Sequence, residues 1–518
     1  MDSQYQRLLH DSLLFSTANN PGKTAVVVEG TDYTYAALRE AALRFAAHLA
    51  ACGLERGDRV AIYMDNTWPC VVSIFGTLMA GGVFLIVNPQ TKADKLQYIL
   101  NDCSARLLIS DAHLSQVFLS ILDQVPSVQG VLCSGDPPKT ENPMVLPFEA
   151  TLANIQPGKA SDKMIAMDLA ALIYTSGSTG NPKGVMMTHQ SMAFTVGSLI
   201  EYLRLSPDDR IMNFLPMAFD YGLYQLLMTM RLGATLVLER SFTYPAQIFN
   251  RIKSENVSVF PGVPTVYMTM LGAHARNPLS FPSVRRVTNT AAALPADIIP
   301  RLREIFPNAL IFRMYGLTEC KRVCYLEPEL IGQKPDSVGK AIPGTEVFLL
   351  SEDGKPTPPG EMGVLYIRGP HVMLGYWNQP ELSARMLKPG RLPGERILCS
   401  QDFFRMDEDG CLYFQGRSDD IIKTRGEKVS PKEVENCLHG IVGVREAAVV
   451  GVPDELFGES IRAYVSLQEG VLLTEKEIQA ACKARLENFM VPKEVFFLPE
   501  LPKTDTGKIR KKGLEAGR

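Results

Sequence analysis

The chain has 518 residues, of which 46% are hydrophobic and 21% charged, and its 53 basic against 56 acidic side chains give a net charge of −3. A single hydrophobic core stops growing near about 250–300 residues, so this length predicts at least two domains. The near-neutral balance excludes the broad basic surface that nucleic acids or anionic membranes attract, and the average composition excludes a disordered or fibrous chain.

The cysteines and the apolar segments predict a reducing location without a membrane span. Ten cysteines lack both the density of a disulfide framework and the spacing of zinc ligands. The first residues, MDSQYQRLLHDSLLF, lack a basic region followed by an apolar core, so we expect no signal peptide and a cytoplasmic protein. The uncharged residues 71–87, interrupted by Gly81 and Gly82, fall short of the ~20 residues that a spanning helix needs and predict a buried helix followed by a strand.

Helical and strand-type patterns then alternate along most of the chain. AALREAALRFAAHLAACG has the periodicity of an amphipathic helix, and RVAIYM, ARLLIS, ATLVLE and NALIFRMYG are typical of strands. This alternation predicts an α/β fold with parallel sheets covered by helices. After Gly363, the segments GVLYIRGP and DGCLYFQG predict a small antiparallel β subdomain.

The pattern changes again near GRSDD. From Ile421 onward it predicts a small α+β unit: a strand, helix PKEVENCLHG, strands AAVVGV and IRAYVSL, helix EKEIQAACKARL and strand EVFFL, followed by a basic loop. We therefore predict an N-terminal domain over residues 1–416, a hinge at residues 417–420 and a C-terminal domain over residues 421–518.

Residues 174–185, YTSGSTGNPKGV, follow the apolar run LAALI and are rich in Ser, Thr and Gly. At the end of a strand such residues let backbone N–H groups and hydroxyls surround phosphate oxygens, and Lys183 adds a cation. Pro182 and Gly184 on either side of the lysine distinguish the loop from the GxxxxGK[ST] pattern. The residue types alone predict either a nucleotide phosphate site or a generic flexible loop.

The complete string resembles the signature of the adenylate-forming superfamily, which includes acyl- and aryl-CoA synthetases, peptide-synthetase adenylation domains and luciferases. Other segments resemble further motifs of that family in the same order, over essentially the whole chain: YGLTE at residues 315–319, Asp402, GRSDD at 416–420, IKTRG at 422–426 and PKTDTGK at 502–508.

The resemblance implies an AMP-forming acid ligase that joins a carboxylate to the α-phosphate of ATP, releases pyrophosphate and passes the acyl group to a second nucleophile. Because two anions must meet, such a site needs cations and oriented N–H groups. The implied phosphate ligands are Thr175, Ser176, Gly177, Ser178, Thr179, Gly180 and Lys183. Thr318 is implied to contact phosphate, and Glu319 to lie beside Mg²⁺, which prefers oxygen ligands.

The resemblance also implies which residues bind the nucleoside. The carboxylate of Asp402 is implied to accept hydrogen bonds from the ribose hydroxyls, although Gln401 stands where the family commonly has glycine. Arg417 is implied to reach the ribose or the phosphates. The adenine is expected against residues 289–293, including Ala292 and Ala293, and against Tyr315, and Gly316 is also implied to bind the nucleotide.

Lys508 is implied to carry the first chemical step, because its compact ammonium can bridge the carboxylate and the α-phosphate as they approach. Its place on a separate small domain implies motion between an adenylating pose and a transfer pose. Asp419 matches the family's hinge position, and Gly426 matches the turn that enters the site in the second pose.

Substrate choice is implied to depend on LPMAFDYGLYQLL and on the residues flanking TNTAAALP. The predicted acyl pocket has these members: Phe219, Asp220, Tyr221, Gly222, Val263 and Met314, with Phe214 and Leu223 beside them. An apolar wall of this kind suits a hydrophobic or cyclic acid, and the same residues can equally be ordinary core. Asp220 after phenylalanine also resembles the peptide-synthetase aspartate that holds an amino acid's ammonium.

The acceptor is the least determined feature. The resemblance favours CoA, and it leaves open a free-standing carrier protein or an amino acid amine, as in the coronafacate-ligase-like members. His189 follows the phosphate loop in MTHQSM, where the residues after it depart from the family pattern, so we predict a structural role for it.

Overall fold

The computed structural model of the chain describes residues 6–136, 140, 142–175, 181–290, 294–417, 420–424, 427–454, 458–486, 488–503, 509–511 and 513–514. The chain divides into two compact units. The first contains Met1–Leu330, Ala341–Glu346 and Ile367–Leu398, and the second contains Ile331–Lys340, Val347–Tyr366 and Cys399–Arg518. The hinge predicted at residues 417–420 stays a prediction, because Ser418 and Asp419 lie outside the described residues.

Two large sheets dominate the first unit. The nine-stranded sheet has the spatial order β16 (Lys340–Ala341), β15 (Cys324–Leu326), β14 (Leu310–Tyr315), β13 (Arg286–Asn289), β12 (Val259–Gly262), β10 (Arg210–Asn213), β11 (Thr235–Leu238), β1 (Thr24–Val28) and β2 (Thr31–Thr34). The strands from β14 across to β1 run parallel, whereas β15 is antiparallel to β14 and β2 is antiparallel to β1.

The seven-stranded sheet has the order β7 (Val145–Pro147), β6 (Gly130–Ser134), β5 (Leu107–Asp111), β3 (Arg59–Tyr63), β4 (Val83–Val87), β8 (Leu169–Thr175) and β9 (Lys183–Thr188). All its pairs are parallel except the hairpin of β8 and β9. The predicted α/β class with parallel sheets is therefore confirmed.

Helices link and cover these strands. They are α1 (Asp11–Asn19), α2 (Tyr35–Ala51), α3 (Trp68–Ala80), α4 (Ala93–Asp102), α5 (Ser115–Leu119), α6 (Phe148–Ala153), α7 (His189–Tyr202), α8 (Asp220–Leu232), α9 (Pro245–Ser254), α10 (Pro264–Arg276), α11 (Ile299–Ile305) and α12 (Pro380–Met386). The predicted amphipathic helix is α2, which begins where the Thr34 hydroxyl accepts a hydrogen bond from the Ala37 N–H at 3.1 Å.

The uncharged stretch is the buried helix α3 followed by the fully buried strand β4, as predicted. Gly81 ends the helix in the left-handed conformation, with φ of 89°, which glycine adopts at little cost. Among the described residues, none of the helices combines the length and apolar character that crossing a membrane requires.

The remaining strands form two smaller sheets. One has the order β17 (Glu346–Leu350), β18 (Met362–Arg368), β20 (Arg396–Met406) and β19 (Leu387–Pro389), with β21 (Leu412–Arg417) paired to β20. The predicted strands GVLYIRGP and DGCLYFQG are β18 and β21, and each lies beside β20, a strand that the sequence pattern did not identify.

The C-terminal sheet has the order β23 (Glu427–Val429), β22 (Ile422–Thr424), β25 (Gly458–Leu467) and β24 (Val444–Asp454), with β26 (Glu494–Phe497) paired to β25. Helices α13 (Pro431–His439) and α14 (Glu475–Lys483) contribute Val434, Leu438 and Ile478 to its buried core. This arrangement has the predicted order of the small α+β unit, with one strand more than predicted, β23, before the first helix.

Candidate active site

The predicted phosphate loop joins β8 and β9, the two strands of an antiparallel hairpin. Thr175 ends β8, Lys183 begins β9, and the two residues are register partners. Residues 176–180 lie outside the described residues, so the roles of Ser176, Gly177, Ser178, Thr179 and Gly180 stay predictions. The described hairpin nevertheless fixes where this loop starts and ends.

Long-range hydrogen bonds hold the hairpin in place. The Tyr174 hydroxyl donates to the Asp102 carboxylate, and the Trp377 indole N–H and the Asn378 amide donate to the Asp102 carbonyl at 3.0 and 2.9 Å. The Trp377 backbone N–H donates to the Gly184 carbonyl at 2.8 Å. The segment around residues 374–378 therefore anchors the base of the phosphate loop to the end of α4.

Tyr376 in that segment links the phosphate loop to the YGLTE motif. Its hydroxyl donates to Glu319 Oε1 at 2.6 Å, and Lys183 Nζ lies 3.5 Å from the hydroxyl and 4.7 Å from the ring centroid. Burial, with the Glu319 charge adding to it, raises the pKa of Tyr376 far above its usual range, so the phenol keeps its proton. Sequence reasoning missed Tyr376 because no motif marks it.

YGLTE begins at Tyr315, the last residue of β14, at the carboxyl end of the strand. Gly316 is required there, since a Cβ would lie 2.4 Å from the Lys321 carbonyl oxygen. Thr318 is half-buried and Glu319 is buried. Their hydroxyl and carboxylate oxygens are the donor type that Mg²⁺ takes, so these residues fit the implied metal.

The predicted ribose aspartate lies on a strand of the second unit. Asp402 is buried within β20, and it pairs in register with Arg417 of β21. The Arg417 Nε lies 3.7 Å from Asp402 Oδ1. Gln401 adopts φ of 60°, a left-handed conformation that disfavours side chains, and this accounts for the glycine expected at that position.

The predicted acyl-pocket residues lie at the carboxyl ends of parallel strands. Phe219 precedes α8 and is 39% exposed, whereas Tyr221 and Met314 are buried. Gly222 allows no side chain, because a Cβ would lie 2.5 Å from the Leu215 carbonyl oxygen. Val263 follows β12 and is half-buried. The two flanking residues, Phe214 and Leu223, are both buried. Phe214 packs between the rings of Phe242 and Phe260 as part of the ordinary core.

Two consecutive cations just after YGLTE were missed by sequence reasoning. Lys321 Nζ lies 3.0 Å from Asp220 Oδ1, and the two side chains are 2% and 15% exposed. Arg322 Nη1 donates to Thr290 Oγ1 at 2.6 Å. Basic residues in CKRVC gave no local sign that they would be buried, since Lys and Arg are usually exposed.

Other predicted site residues fall outside the part of the chain that the structure describes. They are Ala292 and Ala293 at the adenine, Asp419 at the hinge, Gly426 at the transfer turn and Lys508 at the catalytic position. Of the residues predicted at the adenine, Tyr315 ends β14 and is half-buried.

His189, at the start of α7, lies in the core, as a structural role requires. It is fully buried, and its Nδ1 accepts a hydrogen bond from the Leu9 N–H at 3.1 Å. Burial lowers the pKa of His189 to about 4, so the ring stays neutral near pH 7.

Comparison with known proteins identifies the group to which this fold and these motifs belong. The model of the AMP-binding enzyme family matches residues 15–377, and that of the AMP-binding enzyme C-terminal domain matches residues 433–508. The chain is 31% identical to a long-chain-fatty-acid–CoA ligase of Bacillus subtilis, covering 98% of this chain and 94% of the relative. It is 33% identical to a feruloyl-CoA synthase of Amycolatopsis, covering 95% of each.

A solved structure agrees over the same length. The anthranilate CoA ligase in complex with anthranoyl-AMP superimposes with a TM-score of 0.89 at 27% identity, covering 98% of this chain and 96% of that one. Since a family model matches more than half of the chain and these relatives align from end to end, the chain belongs to the AMP-binding enzyme family.

Proposed function

We propose that this chain activates a carboxylic acid with ATP and transfers the acyl group to the thiol of CoA. In the first half-reaction a carboxylate oxygen attacks the α-phosphorus, the bond to pyrophosphate breaks and an acyl-adenylate forms. In the second, the CoA sulfur attacks the acyl carbon, loses its proton and displaces AMP. The chain is an AMP-forming acid ligase, and the relatives named above, which are ligases or synthases of CoA esters, support CoA as the acceptor.

The observation that carries this proposal is the contact chain from Lys183 through Tyr376 to Glu319. It holds the cation at one end of the phosphate loop beside the carboxylate of YGLTE, two groups that lie far apart in sequence. A cation and a metal-binding carboxylate held together suit a polyphosphate, whose charge must be neutralised before a second anion can approach.

Glu319, with Thr318 beside it, would hold Mg²⁺, which would supply positive charge against the phosphates of ATP. This chain's own residues do the positioning. Tyr376 orients one oxygen of Glu319 by its hydrogen bond, which leaves the other oxygen for the metal. Lys183 would hold a phosphate as a point charge.

Lys508 would act between the two substrates, where its ammonium offsets the repulsion between carboxylate and α-phosphate. In this proposal the C-terminal domain turns at Asp419, carries Lys508 into the site for adenylation and presents Gly426 for transfer. Such alternation separates the two half-reactions, so that one enzyme can bind ATP and CoA in succession.

An amino acid substrate held by Asp220 is less well supported. Asp220 already has a buried cation 3.0 Å away in Lys321, so its charge is not open to an incoming ammonium. We therefore place a carboxylic acid without an α-amino group in the pocket. Carrier proteins and amino acid amines remain alternative acceptors that a direct assay distinguishes.

The test is incubation of the full chain with ATP, Mg²⁺ and a panel of carboxylic acids, with pyrophosphate release measured with and without CoA. We expect AMP and pyrophosphate in equal amounts, and mass spectrometry should show the acyl-CoA. Replacing CoA with amino acids or a phosphopantetheinyl carrier tests the other acceptors. Formation of ADP in place of AMP would overturn the proposal.

A further inference from the structure

Two cations, Lys321 and Arg322, are buried side by side beyond the YGLTE motif. They are 4% and 5% exposed. Lys321 also has φ of 67°, a backbone conformation that costs free energy for a residue with a side chain. Buried charges are rare because removing them from water is costly, so each needs a partner.

Lys321 has its partner, and Arg322 has only neutral ones. Lys321 forms the ion pair with Asp220. The Arg322 guanidinium donates through Nη1 to the Thr290 hydroxyl at 2.6 Å and lies 5.7 Å from the centroid of the Tyr221 ring. Among the described residues no carboxylate lies within salt-bridge distance of it, and its Nε is buried without an acceptor.

The position of Arg322 points to the substrate. Thr290 directly follows β13, and the Tyr221 hydroxyl accepts from the Gly262 N–H at the end of β12 and donates to the Thr288 carbonyl at 2.6 Å. These contacts place the guanidinium at the carboxyl ends of parallel strands, which is where open α/β sheets bind ligands. Tyr221, over whose ring the guanidinium lies, is also a residue of the predicted acyl pocket.

A guanidinium offers its Nε edge as a planar fork of two donors that matches a carboxylate. With Nη1 engaged by Thr290, the buried Nε on that edge has no acceptor among the described residues. A second anionic group of the substrate would satisfy it and supply the missing counter-charge. A purely apolar acid would leave the charge uncompensated and would displace whatever water solvates it.

We propose that the acid substrate carries a second carboxylate and that Arg322 binds it in the acyl pocket. The inference rests on the proposed function, since it names the class of acid that the same site adenylates. Asp220 does not repel such a substrate, because Lys321 neutralises it. The arrangement therefore selects a dicarboxylic acid, with one carboxylate adenylated and the other bound to Arg322.

The first test uses the unmodified full chain and matched pairs of acids: adipic against hexanoic acid, and phthalic against benzoic acid. Binding is measured by isothermal titration calorimetry without ATP, and adenylation by pyrophosphate release. We expect the diacid of at least one pair to bind more tightly and to show kcat/KM roughly tenfold higher or more, since sites built for a polar group reject analogues that lack it. Equal or better binding of the monoacid in both pairs would overturn the inference, whatever happens with turnover.

The two readouts keep the two proposals apart. Diacid binding without pyrophosphate release from any acid would count against the proposed function and in favour of the Arg322 site. Pyrophosphate release that is faster with monoacids would leave the proposed function standing and overturn the dicarboxylic inference.

Variants then assign the preference to one residue. Arg322→Met should lower kcat/KM for the diacid to that of the matched monoacid and so remove the diacid preference, and Arg322→Lys should restore part of the preference as a point charge. Arg276→Met, on the exposed end of α10, is the matched control and should behave as the unmodified chain. If Arg322→Met is folded by circular dichroism and keeps the diacid preference, Arg322 is not the determinant.

Discussion

Two regions of the first unit, the predicted phosphate site at Lys183 and Glu319 (the phosphate side) and the predicted acyl pocket at Asp220 and Tyr221 (the acyl side), partner their charged groups in different ways. On the phosphate side, Lys183 and Glu319 are joined through one neutral residue, Tyr376, and both belong to recognisable motifs. On the acyl side, Lys321 is paired with Asp220, while the Arg322 guanidinium contacts the Thr290 hydroxyl and the Tyr221 ring and has no carboxylate within salt-bridge distance among the described residues. No motif marks either cation.

The difference follows from what each side must bind. The proposed reaction uses ATP whatever the acid, so the phosphate side has to hold only a triphosphate. The acid differs between members of the family, and its recognition falls to side chains outside the motifs. Substitutions test this difference, and the first is at Lys508, which would act between the two substrates.

The largest effect is expected from Lys508→Ala. Without the ammonium, the carboxylate and the α-phosphate approach each other uncompensated, so acid-dependent ATP–pyrophosphate exchange should fall by at least about 100-fold. Transfer to CoA from supplied acyl-adenylate should stay nearly unchanged, because the second pose does not use this lysine.

Lys511→Ala is the matched control, since Lys511 Nζ already binds Glu435 at 2.7 Å. It should leave both half-reactions unchanged. A parallel loss of exchange and transfer in Lys508→Ala would contradict the two-pose mechanism.

Next in size is Tyr376→Phe, which breaks the link on the phosphate side. Glu319 would lose a hydrogen bond made in a buried setting, and this costs about 1–3 kcal/mol. We expect kcat to fall and KM for ATP to rise, together by roughly tenfold to 100-fold in kcat/KM, with KM for the acid unchanged.

Tyr63→Phe is the control for Tyr376→Phe. Tyr63, on β3, is also buried, and its hydroxyl donates to the Thr91 carbonyl at 2.7 Å. A purely structural role for Tyr376 would make both variants alike, each losing melting temperature without a change in KM for ATP.

The phosphate side shows how far a sequence can be interpreted. The parallel sheets followed from hydrophobic periodicity and are confirmed. The roles of the phosphate loop, Glu319 and Asp402 were predicted from short motif strings and stay predictions. Tyr376 was not predicted, because it lies 193 residues from Lys183 and 57 from Glu319, and neither separation leaves a trace in local periodicity. The pairing of Asp220 with Lys321 also joins residues far apart in the sequence, so local periodicity could not predict it.

Asp220→Asn tests the acyl side. It leaves Lys321, whose side chain is 2% exposed, without its counter-charge, and loss of one partner of a buried pair costs about 3–5 kcal/mol. Partial exposure of Asp220 reduces this to about 2–4 kcal/mol, seen as a fall of several degrees in melting temperature.

The double variant Asp220→Asn with Lys321→Met should recover most of that stability, because it removes the orphaned charge as well. If the single variant melted like the unmodified chain, Lys321 would have another counter-charge. If it lost activity specifically toward amino acids, Asp220 would be a substrate ligand after all.

The smallest effect is expected where the chain departs from the family beside a motif residue. Gln401, before Asp402, has φ of 60°, which costs about 1–2 kcal/mol for a residue with a side chain. Gln401→Gly removes that strain and adds about 0.5–1 kcal/mol of unfolded-state entropy, so the net gain should be about 0.5 kcal/mol with kcat unchanged. Gln415→Gly on β21, where φ is not positive, should instead lose stability. Equal losses of melting temperature in the two variants would show that Gln401 makes compensating contacts. Glutamine at this position would then be grouped with the substrate-specific residues and not with the residues that bind the nucleotide.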